Sequence, residues 1–430
     1  MSPALLADGE VSYEELRQQG ERFYQLRQFG KAIEVFERAA GLSEGEERIY
    51  VRGLLARSRS ALGMELFSGG ETRQAEKMFL SALEASPDPY ANFGLGYLAF
   101  VRFDDPGARE QLQHALVLED EKVLIYKMLA LLDYRKGRSE SALQLIENAL
   151  KLDRDDAEAQ ALSRRWKKQA SYAPQMEKSA RRRMIVYTHR RLSHAARNQA
   201  LRRVERARAE VEAGLSHSSN HRIVVVLYPE SVFSEMTGTE HWVGGTYDGQ
   251  IKLPVSEAAK LSAQALAHLE ADLRHEMTHA VMSEVAPECP VWLNEGIAQH
   301  FQHRLADSGE HSRLRQELRA RLIAGADRRI SLNELPARLA ELSDEPLVRW
   351  SYLQAHGFVD FLVSRHQEFR LRLLLDHLQA EGSLSRAFRL TYGRSLPALE
   401  EEWWRDMLLA VDARANSSSP ASQAERRKSR

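Results

Sequence analysis

A single cysteine, Cys289, leaves no possible disulfide within this chain. Stability must therefore come from packed apolar cores. At 430 residues and 43% hydrophobic content there is material for two or three of them. Neither sign of charge is in excess: 60 basic residues face 61 acidic ones, which removes any global argument for nucleic acid or an anionic membrane as partner. No run of about 18 apolar residues occurs, so no membrane span is expected. Met1 to Gly9 lacks a basic segment followed by an apolar one. No signal peptide is read there, and the cytoplasm is the expected location. Charge is uneven only locally. The stretch from Arg164 to Arg208 is basic, with Arg181, Arg182 and Arg183 in a row and Arg190 beside Arg191. Aromatic residues are sparse within it and acids are interspersed, so it reads as a linker and a solvated helix face, and no nucleic acid partner is expected. The end of the chain, 413–430, is rich in serine and charge and is expected to be a disordered tail.

What the chain does have, first of all, is a repeat. Ala32, Phe36 and Ala39 return as Ala75, Phe79 and Ala82, then as Ala108, Leu112 and Ala115, then as Ala142, Ile146 and Ala149. The steps between copies are 43, 33 and 34 residues. Small residues at Gly20, Gly63, Gly96 and Ala130 would let paired helices approach, with Phe36 and Phe79 filling the space between them. A period near 34 with small residues at fixed places marks tetratricopeptide (TPR) repeats, so residues 10–170 are expected to form an all-α solenoid of about four repeats. The long first step implies extended helices or an inserted loop near Ser43 to Tyr50. Such an array offers a concave surface to a protein or peptide partner; its other use is as a platform for the rest of the chain.

The chemistry is concentrated further on. His275-Glu276-Met277-Thr278-His279 is an HExxH run, and Trp292-Leu293-Asn294-Glu295-Gly296 comes after it. On a helix the two histidines, four residues apart, face one way and can reach one metal ion. Glu276 between them is placed to take a proton from the water that such an ion activates. Leu266, Leu269, Leu273, Met277 and Ala280 form an apolar stripe at helical spacing, while His268, Asp272, His275 and His279 fall on another face. Pro290 suits the first turn of a second helix, with 286–290 as the link, and two antiparallel helices would carry Glu295 to the same point. Two histidines and a glutamate leave one zinc position open, as catalysis requires. Cys289, six residues before Glu295, is read as a small loop residue rather than a ligand.

HExxH together with WLNEGxA resembles the gluzincin metallopeptidases, the peptidase MA-like group, over about residues 180–412. The resemblance implies one zinc ion per chain held by His275, His279 and Glu295, with Glu276 as general base. It also implies an α+β, thermolysin-like catalytic domain after the solenoid. Residues 171–182 would be a basic linker, 183–305 the catalytic subdomain and 306–412 a helical C-terminal subdomain. Members that act as aminopeptidases carry a GxMEN segment; none occurs here, so that activity is unsupported. Many members place an aspartate four residues after the third ligand, behind a zinc histidine. Here that position is Gln299. Gln299 and Asn294 are the candidates for this supporting role, and a neutral amide raises ligand basicity less than a carboxylate.

Met184 to Thr188 and Arg222 to Tyr228 read as strands, the second nearly all apolar and central, with a helix from about Ser193 to Gly214 between them. Asp248-Gly249 between two short runs marks a hairpin. By resemblance, its first strand lies along the cleft and pairs with an extended substrate, which makes Gly244, Gly245, Thr246 and Tyr247 the cleft candidates. Related enzymes use a tyrosine near the start of a later helix to stabilise the oxyanion; Tyr352 is the candidate and His356 the second. The expected protein is a zinc endopeptidase whose TPR array recruits a peptide or protein substrate. The rivals are an inactive TPR scaffold with a zinc-stabilised pseudo-peptidase fold, and a regulatory protease that acts on one partner only.

Overall fold

The computed structural model describes residues 11–181, 183–219, 221–238, 245–256, 261–304, 313, 316–317, 320, 329–335 and 345–417. It is mostly helical, with one small mixed sheet. Two units are formed: Met1–Tyr134 with Arg138–Trp166, and Arg135–Gly137 with Lys167–Arg430. None of the described helices is long and apolar enough to cross a membrane.

The first unit is a succession of helices: α1 (Tyr13–Gln25), α2 (Phe29–Leu42), α3 (Gly45–Ser68), α4 (Thr72–Ala85), α5 (Pro89–Val101), α6 (Asp105–Ala115), α7 (Lys122–Arg135), α8 (Ser139–Leu152) and α9 (Ala157–Tyr172), the last of which ends in the second unit. Its start is fixed by a capping box, in which Ser12 and Glu15 satisfy each other's backbone N–H. The repeat has a simple packing basis. A Cβ at Gly20 would lie 2.5 Å from the Phe36 ring, one at Gly63 2.6 Å from Phe79, and one at Gly96 2.9 Å from Leu112. Each pair is sixteen positions apart, and Ala130 and Ile146, at the same spacing, are both fully buried in one cluster. Phe79 also abuts Gly94 of the following hairpin, at 2.3 Å from a Cβ placed there. The ring thus joins one hairpin to the next. The long first step is an extended helix rather than an inserted loop: α3 runs for 24 residues, against 13 for α1 and α5.

The second unit is built on a five-stranded sheet of order β1-β2-β3-β5-β4. Its strands are β1 (Met176–Arg181), β2 (Met184–His189), β3 (Ile223–Pro229), β4 (Thr246–Tyr247) and β5 (Ile251–Val255). β1–β2 and β4–β5 are antiparallel; β2–β3 and β3–β5 are parallel. β3 is buried along its whole length between β2 and β5, as its apolar run requires. Within the stretch read as a linker, 171–182, α9 ends at Tyr172 and the edge strand β1 runs over Met176–Arg181; residue 182 lies outside the described residues. The charges of β1 fit an edge, because Glu177 and Lys178 can stay wet while Met176 turns inward.

α10 (His194–Gly214) lies between β2 and β3, and α11 (Glu230–Thr237) follows β3. Then come α12 (Ala263–Val285), α13 (Val291–His303), α14 (Glu345–His366), α15 (Phe369–Glu381), α16 (Leu384–Tyr392) and α17 (Leu396–Ser417). The expected tail is therefore helical through Ser417, and 418–430 lie outside the described residues. One core runs under α10, the sheet and α12 to α17, from Val204 and Val225 through Leu273 and Phe301 to Trp403.

Two outcomes are expected from this packing. Phe79→Ala should cost the first unit about 3–5 kcal/mol in denaturant unfolding, because the ring fills two glycine recesses at once. Glu284, on α12, supplies a pH-dependent tie. Burial raises its pKa, but hydrogen bonds from His221, Ser219 and His217 outweigh this and leave it below its ordinary 4.5. Its contribution is therefore present above about pH 4.5 and lost as pH falls through the lower native value. Glu284→Gln should lower the unfolding temperature at pH 6, with the gap to wild type narrowing towards pH 3.5.

Candidate metal centre

α12 is started by Ser262, whose hydroxyl accepts from the Ala265 N–H at 3.0 Å. Leu266, Leu269, Leu273, Met277 and Ala280 are all buried, so the apolar stripe holds one face of the helix against the core. The other face carries His275 and His279, one turn apart. α13 begins after Pro290, and the link 286–290 is short and hydrogen-bonded, with Cys289 N–H donating to Ala286 O at 3.0 Å. Burial keeps the Cys289 thiol protonated, and the metal-ligand cluster does not include it. Trp292, Leu293 and Ile297 fix which face of α13 turns inward, and Glu295 is delivered to the histidines.

His275, His279 and Glu295 offer three ligand atoms that all lie within 4.8 Å of one another. The two Nε2 atoms are 3.1 Å apart, and the Glu295 oxygens lie 3.6 Å from His275 Nε2 and 3.7 Å from His279 Nε2. Each ring is fixed from behind. His275 Nδ1 is 3.1 Å from Gln302 Oε1, and His279 Nδ1 is 2.9 Å from Asn294 Oδ1. An amide oxygen only accepts, so Nδ1 carries a proton in both rings, and a neutral ring so held presents its Nε2 lone pair. Burial, with His279 next, pushes His275 well below the ordinary imidazole range, so it stays neutral. Two bare imidazole nitrogens and a carboxylate facing one another repel each other and attract a cation. Nitrogen and carboxylate donors in this number fit zinc with a position left open.

Of the supporting amides, Asn294 stands where expected. Among the described residues Gln302, not Gln299, meets the other histidine. Gln299 and Gln302 both follow Glu295 at helical spacing on one side of α13, and it is Gln302, seven residues on, whose amide oxygen reaches His275. Gln302 in turn donates from Nε2 to Asp272 Oδ1 at 3.1 Å. Burial raises Asp272 to about 6. The only hint in the sequence is that Asp272 shares a face with His275.

Glu276 is not one of the ligand trio but stays beside it. Burial raises its pKa well above the ordinary range, and the charges of Glu295, Asp272 and Asp248 add to this. The edge of the sheet reaches it directly: a Cβ at Gly245 would lie 2.9 Å from both Cγ and Oε1 of Glu276. Of the four cleft candidates, Gly245, Thr246 and Tyr247 therefore line this edge, with Tyr247 Oη 3.4 Å from Ser283 Oγ two turns beyond Glu276. Gly244 lies outside the described residues. The hairpin turn has Gly249 at φ 98°, which a side chain would strain, and the buried Lys252 ammonium holds Asp248 across it at 2.5 Å.

Tyr352 sits within α14 rather than at its start, in the second turn. Burial makes its hydroxyl less acidic, and the charges of Glu295 and Glu276 do the same, which puts it in the field of both carboxylates. His356, one turn on, is buried, with its ring centroid 5.4 Å from that of His303. The contact that brings α14 here is Gly296: a Cβ there would stand 2.6 Å from the Ala355 carbonyl oxygen. Comparison with protein-family models and with curated proteins gives no match. Gly296→Ala should force α13 and α14 apart and lower stability by about 1–3 kcal/mol in urea unfolding.

Proposed function

We propose that this protein is a zinc-dependent peptidase of the gluzincin type, acting as an endopeptidase, with a TPR array that recruits its substrate or a partner. The reading is carried by the convergence of His275, His279 and Glu295 within 4.8 Å. Glu276 is buried next to them. When bound, zinc supplies the Lewis acidity that polarises a peptide carbonyl and makes a water molecule acidic enough to attack at neutral pH. The chain's own residues do the rest. Glu276 takes the proton from the attacking water and passes it to the leaving nitrogen as the C–O bond forms and the C–N bond breaks. Its raised proton affinity, from burial and from the Glu295 and Asp272 charges, suits a base that must later act as an acid. Tyr352, kept protonated by the same surroundings, donates to the carbonyl oxygen as negative charge grows on it. β4 is the sheet edge beside Glu276, and an extended peptide can pair with its backbone without demanding one sequence. The sixteen-residue pairing in the first unit supports the TPR reading.

Zinc content and hydrolysis of unfolded protein substrates should be measured together on wild type, His275→Ala and Glu276→Gln. About one zinc per wild-type chain is expected, lost from His275→Ala and kept by Glu276→Gln. Glu276→Gln should hydrolyse about 10²- to 10⁴-fold more slowly. A wild type that takes up no zinc even when supplied would sink the reading. Zinc in the wild type with hydrolysis no faster than Glu276→Gln would leave a zinc-stabilised scaffold.

A further inference from the structure

We infer that Gln302, held by Asp272, is a positioning residue that selects the tautomer of His275. The inference rests on the metallopeptidase reading and concerns how one ligand is prepared. Gln302 is held at three atoms. Its Oε1 faces His275 Nδ1 at 3.1 Å, its Nε2 donates to Asp272 Oδ1 at 3.1 Å, and its main-chain oxygen accepts from the Arg274 guanidinium at 3.2 Å. Arg274 is itself buried, also donates to Phe301 O at 3.0 Å, and pairs with Glu270 and Glu210. The end of α13 is thus tied to α12 immediately beside His275.

The orientation of the amide decides the chemistry. A carboxylate only accepts, so Asp272 admits the NH₂ end of Gln302 and turns its oxygen towards His275. That oxygen only accepts as well, so His275 must carry its proton on Nδ1. Nε2 is then left bare on the side of His279 and Glu295. A flipped amide would present N–H to Nδ1, drive the proton to Nε2 and block the ligand position. Asp272 therefore determines the orientation of Gln302, and Gln302 determines which nitrogen of His275 is free.

The test uses the full chain at pH 7.5, above the range of about 6 to which burial raises Asp272. Zinc affinity is measured by chelator competition, and the His275 tautomer by ¹⁵N chemical shifts of the metal-free protein. Wild type should show the Nδ1–H form. Gln302→Leu and Asp272→Leu, which remove the relay and its acceptor, should each weaken zinc binding about 10- to 100-fold and move the proton towards Nε2. The double variant Asp272→Asn/Gln302→Glu exchanges donor and acceptor, since a carboxylate at 302 accepts from both the His275 ring and the new amide. It should recover zinc affinity to within a few-fold of wild type and restore the Nδ1–H form. That recovery separates the role from loss of structure, which a second substitution would only deepen. Single variants with unchanged affinity and tautomer, or a double variant no better than the singles, would overturn the inference. If wild type binds no zinc, the metallopeptidase reading fails, and the tautomer shifts still decide the relay.

Discussion

Three side chains that would each rather face water are held half-buried together between α12 and α13, and the second unit is arranged around that cost. His275 Nε2 and His279 Nε2 lie 3.1 Å apart with Glu295 against both. Burial disfavours protonating His275 and disfavours ionising Glu295, so neither the proton nor the negative charge is comfortable there. Such a set persists only where packing over-determines it. The packing here is the apolar stripe of α12 on one side and Trp292, Leu293 and Ile297 of α13 on the other. The polar atoms behind the rings complete it, since every buried ring nitrogen needs a partner.

Glycines decide how near the remaining parts can come. Gly296 removes the one side chain that would hold α14 off the Glu295 face of α13, and Gly245 removes the one that would hold the sheet edge off Glu276. Gly296 meets a backbone carbonyl that cannot easily yield, and Gly245 meets the side chains of Leu253 and Glu276 at 2.6 and 2.9 Å from a Cβ placed there. In the first unit the same device has a structural use. Gly20, Gly63 and Gly96 receive the ring or branch sixteen residues ahead, so hairpin spacing is set by side-chain volume rather than by the loops.

What can be read from the sequence depends on the range of the interaction. The HExxH face, the apolar stripe of α12, the Asp-Gly turn and the sixteen-residue pairings depend on local periodicity, which a linear pattern records. Glu295 and Asn294 are legible because a short link leaves two helices little choice but to lie side by side. Gln302 is not, because which of Gln299 and Gln302 reaches His275 depends on the crossing of α13 over α12, and both lie within one turn of the same face. β1 escapes for a different reason. Its alternation is weak and its residues charged, as suits an edge, so its composition resembles a linker. The long first repeat leaves open whether a loop or a helix absorbs the extra residues; α3 absorbs them because no proline in Gly45–Ser68 breaks a helix.

The neutral amide at 302 also has an electrostatic logic. Glu276 already feels Glu295, Asp272 and Asp248, all of which raise its proton affinity on top of burial. A carboxylate placed directly on His275 Nδ1 would add charge closer still and make Glu276 harder to ionise, which works against the role of base proposed for it. Gln302 passes the orienting effect of Asp272 to His275 through two hydrogen bonds of 3.1 Å while keeping that charge one side chain further away. The ring is held as firmly in direction, though made less basic than a direct carboxylate would make it. Asn294 likewise presents an amide oxygen to His279, so both rings are oriented by oxygen dipoles rather than by a carboxylate. The amides of Gln302 and Asn294 thus deliver the orientation, while Asp272 acts on both sides of the site: it holds Gln302 and its charge adds to the raised proton affinity of Glu276.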